Sequence, residues 1–197
     1  GEHGDGIVRS EFHEKMYGKK ITNLFKKIKF LFDENNLFNP GKIVDAPKMD
    51  SRELFRYSPS YKVKNFKTNF DWSNWTGNAN GFQGAIEMCN NNGSCRKLKG
   101  GVMCPSYRVT KDEKDSTRGR ANALRLAISG QLGKGALVSD KMKEILNLCV
   151  SCKACKTECP TGVDMAKLKA EVLSKRVLTY GLNFSDKLIA YLPYYAK

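Results

Sequence analysis

The sequence of 197 residues lacks any apolar run of the roughly 18 residues that a membrane-spanning helix needs. Acidic residues are also scarce, with 20 against 34 lysines and arginines, which gives a net charge of +14. The basic residues are scattered, and no basic block is interleaved with a nucleic-acid motif, so we expect a solvated basic surface and no nucleic-acid partner. No glycine-rich loop that would cradle phosphates is visible, so no dinucleotide-binding residue can be named.

Cysteine is absent outside residues 89–159, where all seven cysteines of the chain lie. An odd number of cysteines in so short a stretch argues against a disulfide framework. The pattern instead indicates a metal or cluster site in a reducing compartment. We therefore expect a cytoplasmic protein, or one held peripherally at the inner membrane.

The second cysteine group has the spacing of a bacterial ferredoxin. Cys149, Cys152, Cys155 and Cys159 form a C-x2-C-x2-C-x3-C-P run that ends at Pro160. Short spacers let three thiolates surround three corners of one iron–sulfur cluster, while the fourth cysteine points away at the proline turn. A zinc site usually joins two separated C-x2-C pairs, and a thioredoxin-like C-x-x-C follows a strand, so both alternatives fit less well.

The first cysteine group looks like a modified copy of the same motif. Cys89 and Cys95 are spaced like the first and third cysteines of the run, and Asn92 stands in the middle position. Cys104 precedes Pro105 after a spacer of eight residues instead of three. The chain therefore carries two related groups, of which the first has one cysteine fewer.

The cysteine before each proline binds the other cluster in two-cluster ferredoxins. Applied to this chain, the rule assigns one complete 4Fe–4S site to Cys104, Cys149, Cys152 and Cys155. A second site then has only Cys89, Cys95 and Cys159. Three outcomes stay open for it: a 3Fe–4S cluster, a 4Fe–4S cluster with Asn92, water or another oxygen ligand on its fourth iron, or no cluster and three core cysteines.

The spacing of apolar residues predicts a mainly α fold. A helix over 10–32 carries an apolar stripe that we expect to pack in the core: Ile21, Leu24, Phe25, Ile28 and Phe32. Further helices are predicted at 81–88, 118–130, 139–148 and 163–180, with Ser116-Thr117 and Ser139 as N-caps. Residues 45–80 are rich in aromatic side chains, and we expect an extended segment that contacts other surfaces.

The cysteine region resembles the iron–sulfur domain of glycolate-oxidase-type and fused flavin/iron–sulfur dehydrogenases. The resemblance rests on Cys104-Pro-Ser-Tyr-Arg-Val-Thr, on Asp115-Ser-Thr-Arg-Gly-Arg120 and on the run from Cys149 to Pro160 followed by Thr-Gly-Val-Asp-Met. It implies an α-helical, bacterial-ferredoxin-like domain with two motifs. It also implies that Arg118 and Arg120 lie close to a cluster, whereas the residues alone are equally consistent with surface charges at a helix start.

At the N-terminus, Gly-Glu-His-Gly-Asp-Gly at residues 1–6 is followed by a predicted helix and by Asn-Pro-Gly-Lys at residues 39–42. These residues resemble the C-terminal end of FAD-linked oxidases such as D-lactate and D-2-hydroxyglutarate dehydrogenases. The resemblance implies that Glu2 binds a divalent metal and that His3 is the catalytic base or contacts the substrate hydroxyl. Imidazole suits removal of a hydroxyl proton near neutral pH. The second histidine, His13, is expected to be an exposed helix residue.

The two resemblances together imply four segments: the end of an FAD-linked oxidase domain (1–47), an aromatic linker (48–80), a ferredoxin-type domain (81–180) and the start of a further segment (181–197). Because the sequence begins inside an apparent active-site motif, we expect a fragment that is inactive alone, with FAD bound mainly by a preceding domain. The implied function is oxidation of a D-2-hydroxy acid of the lactate, glycolate or 2-hydroxyglutarate type.

In this interpretation electrons pass from FAD through the clusters to a quinone or a protein carrier. One alternative is a non-catalytic, ferredoxin-like electron-transfer subunit, which would have no use for Glu2 and His3. Another is a zinc-stabilised interaction or nucleic-acid module. The sequence identifies neither the oligomeric state nor the metal at Glu2.

Overall fold

The computed structural model describes residues 3–53, 55, 57–63, 67–75, 79 and 81–196. These residues form helices, turns and irregular segments with no strand among them, which confirms the mainly α fold. The chain divides into two compact units, Gly1–Tyr61 and Lys62–Lys197, and the boundary falls inside the predicted 48–80 linker. Within the described ranges, no helix is both long enough and apolar enough to cross a membrane.

The first unit is built around one long helix. A short helix α1 (Gly6–Arg9) and a 3-10 turn (Ser10–Phe12) lead into α2 (His13–Phe32). Gly18 adopts a left-handed φ of 79° and interrupts the helical path, which the sequence pattern did not predict. At the end of α2, the Asp33 carboxylate accepts the N–H groups of Leu37 and Phe38, at 2.8 and 2.9 Å, and pairs with Lys29.

The apolar stripe of α2 is exposed in this structure, so the expectation of core packing was wrong for most of it. Ile28 is 57% exposed and Phe32 is 80% exposed, and Ile21 and Leu24 are also exposed. Burial of a helix stripe requires a second layer against it. Among the described residues of the first unit, α2 is the only long helix, so no such layer covers its stripe.

The second unit is a bundle of short helices. Its α-helices are α3 (Gly81–Glu87), α4 (Pro105–Thr110), α5 (Thr117–Ile128), α6 (Asp140–Asn147), α7 (Ala154–Glu158), α8 (Met165–Tyr180) and α9 (Phe184–Tyr195). Helices α3, α5, α6 and α8 enclose a core that contains Ile86, Leu124, Leu146, Leu168 and Val172, all fully buried. The core also includes several of the cysteines.

Side-chain caps explain where three helices of the second unit begin. Ser116 Oγ accepts the N–H of Gly119 at 2.9 Å, and Ser139 Oγ accepts the N–H of Met142 at 3.2 Å. Asp164 Oδ1 caps α8 by accepting from the Lys167 N–H at 3.0 Å. These bonds satisfy amides that have no partner within the helix, and they confirm both predicted serine caps.

The aromatic segment is fastened to α8 by a buried carboxylate. Glu171 is fully buried and accepts the N–H groups of Asn69 and Phe70 and the indole N–H of Trp72, at 2.8, 3.0 and 3.0 Å. The Trp72 ring packs edge-on against Phe82, with centroids 5.1 Å apart. Residues 69–72 therefore belong to the second unit, although they come before its first helix. Phe66 lies outside the described residues.

Candidate functional site

Four cysteines from two distant segments line one pocket of the second unit. Cys149, Cys152 and Cys155 come from the loop and first turn of α7, and Cys104 immediately precedes α4. The rule that the cysteine before each proline binds the other cluster grouped the same four side chains from the sequence. Cys104 and Cys155 are buried, Cys149 is partly buried and Cys152 is exposed, so the pocket opens to solvent on the Cys152 side.

Left-handed backbone turns shape this pocket. Cys104, Ser151 and Lys153 have φ values of 52°, 54° and 61°, although none of them is glycine. Such conformations cost free energy for residues with a Cβ and persist only where the surrounding structure holds them. Here they turn the chain at Cys104 and on both sides of Cys152, so that the two-residue spacers around Cys152 still leave three cysteines on one pocket.

Backbone amides donate to the cysteine sulfurs. The Thr117 N–H donates to Cys104 Sγ at 3.1 Å, and the Arg118 N–H donates to Cys95 Sγ at 3.4 Å. These are the first two amides of α5, which have no partner within the helix and lie at its positive end. One helix terminus thus favours negative charge on Cys104, which borders the pocket, and on Cys95, which lies outside it. The Met165 N–H similarly donates to Cys155 Sγ at 3.4 Å.

A buried arginine links the segments that carry the cysteines. Arg120 is 2% exposed and lines the pocket. Its guanidinium donates to the carbonyls of Asp115 and Ile145, at 2.6 and 3.1 Å, and to Ser106 Oγ at 3.1 Å. Ser106 follows Cys104-Pro105, and Ile145 lies on the helix before Cys149. The structure therefore places Arg120 beside the pocket, and the surface alternative for this residue was wrong.

The remaining three cysteines, Cys89, Cys95 and Cys159, do not line this pocket. Cys89 and Cys95 are buried in the core, and Cys159 is partly buried with Sγ 3.3 Å from Thr161 Oγ1. A hydrogen bond from the Cys104 thiol lowers the pKa of Cys95 to about 6, and the same pairing raises the pKa of Cys104 well above its usual range. Cys104 thus borders the pocket and also contacts Cys95.

Asn91, rather than Asn92, lies beside Cys89. The side-chain oxygen of Asn91 is 3.7 Å from Cys89 Sγ and also accepts from Asn122 Nδ2 at 2.8 Å. Asn92 is exposed, and its side chain bonds to the Asn90 side chain and the Ser94 N–H. Counting spacers in the sequence selected Asn92, but the turn through residues 90–93 places its neighbour against the sulfur.

A carboxylate that sequence reasoning missed holds the long spacer before Cys104. Glu158 accepts the N–H groups of Val102 and Met103, at 2.7 and 3.1 Å. It thereby fixes the end of the eight-residue spacer against the segment that carries Cys159. The only signal in the sequence was its position directly before a cysteine, which does not indicate a long-range contact.

The chemistry of the pocket suits an iron–sulfur cluster. In the part of the chain that the structure describes, no three or more His, Cys, Asp or Glu side chains converge as the ligands of a single metal ion would. Four cysteines instead line one pocket, with amide donors on two of the sulfurs. A cubane iron–sulfur cluster is larger than a single metal ion, and it is bound by soft thiolates whose sulfurs also accept hydrogen bonds. The residues present fit that group.

The loop that carries His3 belongs to the first unit. His3 is exposed, and Glu2 lies outside the described residues. The carbonyl of Gly4 accepts from Arg9 Nη1 at 2.8 Å, and Asp5 lies 3.0 Å from the ring of His13. His13 is only 2% exposed, so the expectation of an exposed helix residue was wrong. Its burial follows from partners in two other segments, which helical periodicity does not reveal.

Comparison with protein families gives two matches, one in each unit. Residues 1–43 match the family model described as "FAD linked oxidases, C-terminal domain". Residues 85–163 match the model described as "4Fe-4S dicluster domain", which spans both cysteine groups. No solved structure matches the chain significantly.

Curated relatives extend over the whole chain. It is 28% identical to D-2-hydroxyglutarate dehydrogenase of Escherichia coli K12 and 30% identical to the Haemophilus influenzae protein of that name, both over 100% of the chain. It spans only 22% of the length of each. The glycolate oxidase iron-sulfur subunit of E. coli is 38% identical over 42% of the chain. The chain thus joins the C-terminal part of an FAD-linked oxidase to a 4Fe–4S dicluster domain.

Proposed function

We propose that the chain is part of an FAD- and iron–sulfur-dependent dehydrogenase that oxidises a D-2-hydroxy acid, with D-2-hydroxyglutarate as the first candidate substrate. The observation that supports this proposal most strongly is the pocket that Cys104 lines together with Cys149, Cys152 and Cys155. Its place downstream of an FAD-linked oxidase segment supports electron transfer away from a flavin. The substrate choice comes from the names of the relatives.

The four pocket cysteines are the proposed ligands of one 4Fe–4S cluster. Such a cluster supplies one-electron acceptance at a potential that burial, charge and hydrogen bonds to sulfur adjust. The Thr117 and Met165 amides and the buried Arg120 place positive potential around the thiolates, so they favour the more negative, reduced state. The exposed Cys152 marks the side on which an acceptor, a quinone or a protein carrier, approaches most closely.

Cys89, Cys95 and Cys159 are the proposed cysteine ligands of a second cluster. Three thiolates suit a 3Fe–4S cluster, or a 4Fe–4S cluster whose fourth iron takes an oxygen ligand. The description of the matched family as a dicluster domain supports this second site. Iron content separates the alternatives, because the two forms differ by one iron per chain.

The first unit supplies the substrate chemistry in this proposal. His3 is the proposed base that accepts the hydroxyl proton of the 2-hydroxy acid, and FAD, when bound, would supply the acceptor for the hydride. Glu2 is the proposed ligand of a divalent metal, which would clamp the hydroxy-carboxylate and acidify its hydroxyl. The exposed apolar stripe of α2 is the proposed contact with the remainder of the oxidase domain, for which the rest of the relatives' length provides room.

A His3→Ala variant of the complete protein tests the dehydrogenase against the electron-transfer subunit. The dehydrogenase requires a fall in D-2-hydroxyglutarate turnover of about 100-fold or more, because a general base contributes that much. Iron content and the reduction of the clusters by dithionite serve as controls and stay unchanged. Undiminished turnover would leave only an electron-transfer role for this chain. The proposed location is the cytoplasm, including peripheral attachment at the inner membrane, and its test is cell fractionation.

A further inference from the structure

Two buried polar side chains of the first unit have no role in the function proposed so far. Ser10 is 5% exposed and His13 is 2% exposed, and both follow closely on the loop that carries His3. Burial of a hydroxyl or an imidazole costs free energy unless hydrogen bonds compensate. The partners of these two side chains therefore show what the burial achieves.

Both side chains connect the loop to the backbone of Ile43. Ser10 Oγ donates to the Gly6 carbonyl and accepts the Ile43 N–H at 3.1 Å. His13 Nδ1 lies 3.3 Å from the Ile43 carbonyl oxygen, and Nε2 lies 3.0 Å from Asp5 Oδ2. The Nδ1 contact joins the ring to the Ile43 carbonyl, and Nε2 lies within ion-pair distance of Asp5 without the geometry of a hydrogen bond. The ring is further confined by Tyr17 and Phe25, at 5.7 and 6.1 Å between centroids.

The backbone at both ends of these contacts is unusual. Ile43 has a φ of 65°, which is costly for a β-branched residue, and both of its polar backbone groups are engaged by Ser10 and His13. In the loop, Gly4 and Gly6 have φ values of 78° and 54°. Glycines on both sides of Asp5 leave the loop free to adopt many conformations unless side chains restrain it. Arg9, His13 and Ser10 hold residues 4, 5 and 6 in turn.

We propose that His13 is a positioning residue that holds the loop through Asp5 and Ile43 and thereby sets the place of His3 on the substrate hydroxyl. Ser10 supports the same connection. The inference rests on the proposed role of His3 as the base. Its physical basis is that proton transfer requires hydrogen-bond distance, and a displacement of about 1 Å costs about 100-fold in rate.

A double-mutant cycle in the complete protein tests this coupling. His13→Ala is expected to lower kcat for D-2-hydroxyglutarate about 10- to 100-fold with KM little changed, because the base is misplaced while binding persists. His13→Gln, whose amide reaches towards Asp5, recovers most of the loss. If His13 acts through His3, His3→Ala with His13→Ala is no slower than His3→Ala alone. Glu14→Gln, an exposed neighbour, is the matched control and leaves kcat unchanged.

Hydrogen exchange supplies a readout that does not depend on activity. In the His13→Ala and Ser10→Ala variants, the Ile43 amide exchanges at least tenfold faster, while amides of α2 beyond Gly18 keep their protection. Unchanged exchange at Ile43 together with unchanged kcat overturns the proposal. Faster exchange along all of α2 also overturns it, since His13 would then only stabilise the fold. Full turnover in His3→Ala instead overturns the proposed function, so the two failures are distinguishable.

Discussion

The N–H of Thr117 donates to the Sγ atom of Cys104 at 3.1 Å, so the first amide of α5 contacts the one pocket cysteine that comes from the upstream segment. Cys104 is far from Cys149, Cys152 and Cys155 in sequence, yet it borders the same pocket. The helix terminus holds this sulfur in place and opposes the rise in the Cys104 pKa that the Cys95 thiol and burial cause. In the proposed enzyme, this contact holds the one ligand of the pocket cluster that lies outside the C-x2-C-x2-C run.

Substitution of Cys104 is therefore expected to remove the first cluster although the C-x2-C-x2-C run is intact. A Cys104→Ser variant, reconstituted anaerobically, should lose about four irons per chain if its cluster no longer assembles. Cys95→Ser is the matched comparison and should retain the 4Fe–4S EPR signal of the first cluster. Equal loss of that signal in both variants would show that Cys104 does not belong to the pocket cluster alone.

Arg120 is expected to govern the lifetime of the cluster. Lysine keeps the charge but cannot reproduce the bonds to Asp115, Ile145 and Ser106, so Arg120→Lys should cost about 1–3 kcal/mol in the free energy of unfolding. The cluster absorbance should also bleach faster under an iron chelator. Arg176→Lys is the control, because Arg176 bonds to Val138 and Asp140 and lines no part of the pocket. Identical bleaching rates in the two variants would contradict this role.

The three hydrogen bonds that Glu171 accepts from residues 69–72 are expected to stabilise the second unit. In Glu171→Gln an amide replaces one carboxylate oxygen and faces a donor, so the free energy of unfolding should fall by about 1–3 kcal/mol. Urea denaturation followed by tryptophan fluorescence measures the change. Ser174→Ala removes only the exposed bond to Asn69 and should change stability by about 0.5 kcal/mol or less. If Glu171→Gln is as stable as Ser174→Ala, the Glu171 carboxylate does not hold residues 69–72 against α8.

Much of the helical framework was predictable because its signals are local. Ser116 and Ser139 each stand directly before a segment whose apolar residues recur at helical spacing. Each caps a helix as expected, by accepting a backbone N–H of its first turn. Contacts between distant segments left no such signal: Glu171 with Trp72, Glu158 with Val102, and His13 with Ile43. The expectation that the α2 stripe is buried was wrong for a related reason. Periodicity indicates an apolar face but does not say whether the same chain covers it.

The end of α2 should respond to acid through Asp33. The hydrogen bond from Lys29, supported by the amides of Leu37 and Phe38, lowers the pKa of the Asp33 carboxyl. A carboxyl whose pKa is depressed on folding stabilises the turn above its unfolded pKa, which is about 3.9, and this contribution is lost as pH falls through the folded value. The protection of the Leu37 and Phe38 amides, which is their exchange rate relative to the intrinsic rate at the same pH, should therefore fall between about pH 5 and 2.

An Asp33→Asn variant should abolish that acid response and leave the two amides weakly protected at every pH. Glu34→Gln changes an exposed carboxylate one residue along and should preserve the response. If the wild-type and Asp33→Asn chains show the same pH profile, the Asp33 carboxylate does not hold this turn.

The most direct test of the cluster site is an anaerobic measurement of iron, sulfide and visible absorption on the purified chain. The account predicts a brown protein with thiolate-to-iron absorption near roughly 400 nm, at least about four irons, and matching sulfide per chain. A count of about seven or eight irons would add the second cluster. A colourless protein that holds zinc after strictly anaerobic handling would contradict the assignment of the cysteine pocket to an iron–sulfur cluster.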